Sequence, residues 1–254
     1  MNLLGRFLKQ DMKRAVFNFG FFLSEVLLLV IFIHAIRINI NFGGNPSTYE
    51  IISVAMALSG FSPFAAIFPV LAYSTSFCEE YHSGYLRMMT ARMDWRRYGW
   101  TRIVTTGLSG GLIMAIAFAA VCLIGYVFGA HGTEGLFGDL YSGTRMWYYL
   151  DHYGDWYLLV GKVILGFLFG VWWALVGMAF AVWFCNRYVA LIAPFILYEV
   201  MWITFYNIPI LNPVFLFKGD NLQNYPLSGI MEFLYIGITI CVIWIGLRKR
   251  IRYE

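Results

Sequence analysis

The chain has 254 residues, 60% of them hydrophobic and 13% charged, with a formal net charge of +4 and a mean hydropathy of +0.68. Soluble domains carry about 25% charged residues, so half of the usual charge is missing and the remainder is clustered. That deficit excludes a water-soluble domain, and the small positive balance reflects membrane topology and implies no nucleic-acid partner.

Residues 2–16 predict an interfacial helix. Leu4, Phe7, Leu8 and Ala15 share one face at 3.6-residue spacing, and Arg6, Lys9 and Lys13 share the other. Asp11 falls on the apolar side, a flaw in the pattern, and Asn18 and Phe19-Gly20 mark the turn into the first apolar run.

Hydrocarbon about 30 Å thick needs roughly 20 helical residues at about 1.5 Å each. Six runs qualify: 17–38, 51–77, 103–128, 156–184, 188–206 and 227–247. The expected fold is therefore all-α and integral to the membrane, one transmembrane domain over 1–254 with six transmembrane helices. The second run holds Phe61-Ser62-Pro63-Phe64 and then Pro69, and each proline removes a backbone donor, which predicts a kink. Gly166 and Gly170 on the fourth run permit close helix contact, and the fifth carries Pro194.

The second and third runs are joined by an insert over 79–97 with a basic tail. Arg87, Arg92, Arg96, Arg97 and Arg102 lie there beside Tyr85, Leu86, Met88, Met89, Met93 and Trp95. A solvated loop would not carry that apolar load, and adaptable methionines suit a surface that packs on a partner. The predicted element is an amphipathic helix that docks a cytoplasmic protein.

Between the third and fourth runs, Trp147, Tyr148, Tyr149, Trp156 and Tyr157 suit a belt at headgroup level. Residues 207–226 contain the run Ile208 to Phe217, too apolar for a solvated loop and too short to span. It predicts a short re-entrant or interfacial helix on the extracellular side, tolerated where protein covers its backbone.

Basic residues set the orientation. Arg6, Lys9, Lys13, Arg14, the arginines of the insert, Arg187, Arg248, Lys249, Arg250 and Arg252 fall on one side, and Arg37, Arg145, Lys162 and Lys218 on the other. The positive-inside rule then places both termini in the cytoplasm and the chain, as a multi-pass protein, in a bacterial plasma membrane. The first run is too long for the core of a signal peptide, and Asn39-Ile40-Asn41-Phe42-Gly43 offers no cleavage site. Cys78, Cys122, Cys185 and Cys241 avoid the outer loops, so neither a disulfide framework nor a metal pair is expected.

No catalytic constellation is predicted. Gly107-Leu108-Ser109-Gly110 fits the rhomboid-protease pattern, but the later histidines, His131 and His152, lie in the outer loop, so the base is missing. Glu79-Glu80 resembles the paired glutamates of intramembrane CAAX-type proteases, yet Gly84 stands where those need arginine. His152 and Asp155 are too few ligands for a metal. No G-x-x-x-x-G-K-[ST] occurs, so ATP chemistry would belong to another polypeptide. Glu25, Glu199 and Glu232 are costly within spans. Glu25 and Glu199 either hydrogen-bond a neighbouring helix or line a substrate path, while His34 and Arg37 are near enough to the interface to snorkel.

The order of these pieces resembles the membrane subunit of ABC-2 type exporters over nearly the whole chain. The resemblance rests on the N-terminal amphipathic helix, on Glu80-x-x-x-Gly84-x-Leu86 with its basic tail, and on the short apolar segment around Leu211-Asn212-Pro213. Met93-Asp94 departs from the proline-serine-like pair that members often carry. The resemblance implies an elbow helix over 2–16 and a coupling helix over 79–97, including Glu79 and Glu80, that sits in a cleft of a separate ATPase subunit. ATP and magnesium would be bound by that subunit, with no cofactor in this chain. It further implies a second permease copy, identical or paralogous, with spans two and five of the two copies enclosing the path. Lining candidates are Phe61, Phe64, Phe68 and Tyr73 on span two and Phe195, Tyr198, Glu199 and Trp202 on span five. An aromatic path suits an amphipathic substrate, a peptide of the phenol-soluble-modulin kind ahead of a drug or lipid, and short outer loops favour export.

The alternative is a secondary transporter or channel without an ATPase. Pro63 and Pro69 in span two and Pro194 in span five match roughly, as inverted halves would, but nothing like the insert follows span five. An intramembrane protease stands third.

Overall fold

The computed structural model describes residues 3–41, 46–131, 145–219 and 224–252, and among them every regular element is a helix. Five are long and apolar enough to cross a membrane: α2 (Phe19–Asn41), α8 (Trp95–Phe128), α10 (Asp155–Phe184), α11 (Arg187–Thr204) and α13 (Tyr225–Arg252). A sixth crossing results if α3 (Thr48–Leu58), α4 (Phe61–Phe64) and α5 (Ile67–Tyr73) count as one span, bent by 60°. The chain is thus a helical protein with membrane-type helices.

The bend falls at Ser59-Gly60, ahead of the prolines. Gly60 has φ +70°, a left-handed conformation that costs other residues about 1–2 kcal/mol. Pro63 and Pro69 each stand third in their own short helix, α4 and α5. First-turn N–H groups have no intrahelical partner anyway, so proline is tolerated there. The prolines start helices, and the glycine makes the corner.

The Ser47 end of this broken span is pinned. Ser47 caps α3 through a capping box with Glu50. Thr48 N–H donates to the Ala130 carbonyl at 3.0 Å, and Ala130 N–H donates to the Pro46 carbonyl at 3.0 Å. The start of α3 and the end of α8 are therefore one joint.

α10 forms the centre of the bundle. Of its most apolar stretch, 72% is buried, against 17% for α11 and 28% for α2, which lie at the periphery. α8 and α10 cross closely because Gly110 meets Gly170. A Cβ on Gly170 would stand 2.4 Å from the Gly110 carbonyl oxygen. Phe61 is the focus of the aromatic packing, with ring centroids of Phe32 at 5.0 Å, Phe217 at 5.7 Å, Phe68 at 5.9 Å and Phe118 at 6.0 Å.

Phe217 belongs to α12 (Pro213–Lys218), the short helix expected before the last span. Asn212, Pro213, Val214, Leu216 and Phe217 are buried, while Ile208, ahead of the helix, is exposed. Asn212 caps the helix through Val214 N–H at 3.0 Å and donates to the Trp202 carbonyl at 3.1 Å. A further helix, α9 (Arg145–Tyr153), stands where the sequence suggested an aromatic loop. Its Tyr149 stacks on Tyr157 at 4.8 Å, so the aromatic belt is partly helical. Trp147 is in α9, but its surroundings lie outside the described side chains.

Candidate functional site

The insert between the second and third runs is divided into three pieces. Glu79 and Glu80 end α6 (Ser76–His82), α7 (Tyr85–Arg92) stands alone, and Trp95 opens α8. Gly84, at φ +72°, turns the chain out of α6. Met93, extended at φ −138°, ends α7, and the Asp94 carboxylate caps α8 by accepting from Arg96 N–H at 3.3 Å.

α7 has an inner and an outer face. Leu86 and Met93 are buried, and Met89 packs half-buried against the core. Tyr85 and Trp95 are half-buried, Trp95 with its ring 5.1 Å from that of Trp244. Arg87, Met88 and Arg92 are exposed, Met88 at 56%. Leu86 and Met93 therefore anchor the helix, and the surface it offers is Arg87, Met88 and Arg92. Glu79 is also outside, paired with Arg187 at 2.9 Å.

Beneath α7 lies a buried polar cluster centred on Arg102. Its Nη1 donates to Asp11 Oδ1 at 2.8 Å and to the Tyr73 hydroxyl at 2.6 Å, and its Nε donates to the Tyr98 hydroxyl at 3.4 Å. Its Nη2 pairs with Glu80. Tyr73 in turn donates to Asp11 at 2.6 Å and Tyr98 to Glu80 at 2.6 Å. Thr105 donates to the second Asp11 oxygen at 2.7 Å, and Arg14 reaches Glu80 from outside at 3.2 Å.

Charge balances within the cluster: Asp11 and Glu80 against Arg102 and Arg14. A lone buried charge would cost several kcal/mol, so the buried Asp11, Glu80 and Arg102 depend on one another, while Arg14, half exposed, adds its charge from the edge. Burial works against the Arg14 charge, but Tyr73 and Glu80 outweigh it and hold its pKa above the ordinary value. The cluster ties α1 (Leu3–Val16), α5, α6 and α8 into one block from which α7 projects.

The sequence reading counted Arg102 among the arginines of the basic insert, and the structure places it inside the bundle, 1% exposed. α8 begins about two turns before the apolar run, which carries Arg102 into the bundle. The Asp11 flaw in the amphipathic pattern of α1 was the signal that could have found the cluster. Tyr98, Arg102 and Thr105 at helical spacing supply the matching stripe.

The candidate path residues are separated. Phe61, Phe68, Tyr73 and Tyr198 are buried in packing inside the subunit, Tyr73 in the Arg102 cluster and Tyr198 with its hydroxyl on the Ser62 carbonyl. Phe64 is 51% exposed and stacks on Phe195 with centroids 5.9 Å apart and planes at 10°. Glu199 and Trp202 are half-buried on the same helix as Phe195. Both Glu25 carboxylate oxygens, both of Glu232 and one of Glu199 are buried without a hydrogen-bond partner among the described residues. Ser109, in the protease-like tetrapeptide, donates to the Thr106 carbonyl of its own helix at 2.9 Å.

No protein family, curated protein or solved structure matches this chain. The geometry of these residues therefore carries the functional reading alone.

Proposed function

We propose that the chain is the permease subunit of an ATP-driven ABC exporter that moves an amphipathic substrate, a peptide first, out of the cytoplasm by alternating access. The observation that supports it is the mounting of α7. A short helix presents Arg87, Met88 and Arg92 outward while Leu86 and Met93 fix it to a block that includes α1, α5, α6 and α8. A cytoplasmic ATPase that gripped the outer face would move that block as a unit. Such a motor must bind its nucleotide with different affinity in the two states, since only that difference can drive the switch.

On this reading ATP and magnesium are bound by the ATPase, and two permease copies face each other across α11. Glu25, Phe64, Phe195, Glu199 and Trp202 remain the path candidates, because their side chains are not fully buried within one copy. The aromatic stack suits an apolar substrate face and Glu199 a polar one.

The test is affinity purification of the full chain from its native membrane, with co-purifying proteins identified by mass spectrometry. The expected partner is an ATPase with a phosphate-binding loop. Changing Arg87→Glu, Met88→Asp and Arg92→Glu together should abolish its recovery while the melting temperature holds. Recovery of the ATPase with the triple variant, or of no ATPase with the wild type, would overturn the proposal.

A further inference from the structure

A second feature lies where α10, α11 and α13 line one groove. Val176, Ala179, Phe180, Leu197, Ile238 and Val242 wall a groove of about 350 Å³. It opens outward, and its walls are almost wholly apolar. At its end stands Trp183, which belongs to both the groove and the basic segment beyond it.

Trp183 is held rigidly. Its Nε1 donates to the Val242 carbonyl at 3.3 Å, and its ring packs on Gly246, where an added Cβ would stand 2.8 Å from that nitrogen. Lys249 Nζ lies 5.7 Å from the Trp183 ring centroid. Arg248 and Lys249 are exposed.

The neighbouring acceptors are already occupied. Arg250 donates to the Val182 carbonyl at 3.2 Å and to the Trp183 carbonyl at 2.7 Å, closing the C-terminus of α10. Glu79, the acid near the α10 to α11 turn, is engaged by Arg187. The negative end of the α10 dipole is thus covered, and Arg248 and Lys249 face outward with no acid bound to them among the described residues.

An apolar furrow running along the helices and ending at the exposed Lys249, with the exposed Arg248 next to it in the chain, is complementary to one kind of molecule. We propose that it binds an anionic phospholipid, with an acyl chain between Phe180 and Val242 and the phosphate on Lys249 and Arg248. Trp183 sits at the junction as an amphipathic ring does at headgroup level. A zwitterionic lipid would fill the groove equally but place its own ammonium near these cations. The site is independent of the ATPase reading and stands whether or not a partner docks on α7.

The test is native mass spectrometry of the purified full chain titrated with phosphatidylglycerol or with phosphatidylcholine of the same acyl chains. Phosphatidylglycerol should bind more tightly, and Arg248→Gln with Lys249→Gln should weaken it about fivefold for each cation removed. Phosphatidylcholine binding should stay unchanged in that variant. Ala179→Trp, which fills the groove, should weaken both lipids; should it fail to fold, Val242→Phe replaces it. Equal binding of both lipids to the wild type, or a preference that survives loss of both cations, overturns the proposal. So does a groove-filling variant that binds phosphatidylglycerol normally, or a Val242→Cys protein that cross-links there to a second copy.

Discussion

Asp11 and Arg102 are 91 positions apart in the chain and meet at 2.8 Å, each 1% exposed. Through that contact the amphipathic first helix is attached to α8 by charge, in addition to its apolar face. Asp11 also accepts from Tyr73 and Thr105, so its carboxylate is satisfied from two further directions.

Removing one partner of such a pair leaves the other buried and uncompensated. Arg102→Leu is expected to cost about 3–5 kcal/mol and to lower the melting temperature in detergent sharply. Arg102→Lys should recover only part of the loss, because a point charge cannot bridge Asp11 and Glu80 as a planar guanidinium does. Equal melting of wild type and Arg102→Leu would show that the cluster contributes nothing.

The two faces of α7 should separate cleanly by mutation. Leu86→Asp buries a charge and should destabilise the protein by several kcal/mol. Met88→Asp, on the exposed face, should change stability by no more than about 0.5 kcal/mol. Differential scanning fluorimetry on both variants is sufficient.

The crossing of α8 and α10 predicts another contrast. Gly170→Leu drives a side chain into the Gly110 backbone and should disrupt folding by about 3 kcal/mol or more. Gly237→Leu, in a helix position where an added Cβ meets nothing within 4 Å, should be tolerated. Recovery from size-exclusion chromatography distinguishes the two.

Thiol reactivity gives a pH test. Burial, with Cys185 beside it, pushes the Cys78 thiol up to about 11. Only the thiolate reacts, and from pH 7 to 9 the pH stays below that value, so the group remains protonated. Labelling of Cys78 by a maleimide should therefore be slow across this range and become rapid once the protein is unfolded. Peptide mapping reads out the modified site, and prompt labelling of the native protein at pH 7 would contradict the buried setting.

Orientation is open to the same chemistry. Arg87→Cys on α7 and Tyr148→Cys on α9 place exposed thiols at opposite ends of the bundle. An impermeant maleimide applied to intact cells should label position 148 and reach position 87 only after permeabilisation. The reverse pattern would invert the topology that the basic residues predict.

Much of the helical layout was legible from hydropathy, because a membrane-length helix needs an unbroken apolar run. The starts of α10, α11 and α13 lie within two residues of the apolar runs that predict them. The bend was legible as an event but not in place: prolines advertise helix breaks, whereas the left-handed residue was Gly60. Arg102 was misread for a physical reason. Charge counting treats an arginine beside an apolar run as loop, and only the fold reveals the two carboxylates that make its burial affordable. The split of α7 into anchors and free side chains was equally hidden, since Leu86 and Met88 differ by two positions on one short helix.

The corner at Gly60 has both of its arms fastened to the same rod. At one end Thr48 and Ala130 join α3 to the tip of α8, and at the other Tyr73 and Glu80 join α5 and α6 to its root through Arg102. The arrangement has the geometry of a bow whose string is one unbroken helix of 34 residues. With its ends tied, the broken segment cannot lengthen or shorten, so any force delivered at α7 can displace it only sideways. The side chains that such a bowing would carry outward are those at the corner, Phe64 among them.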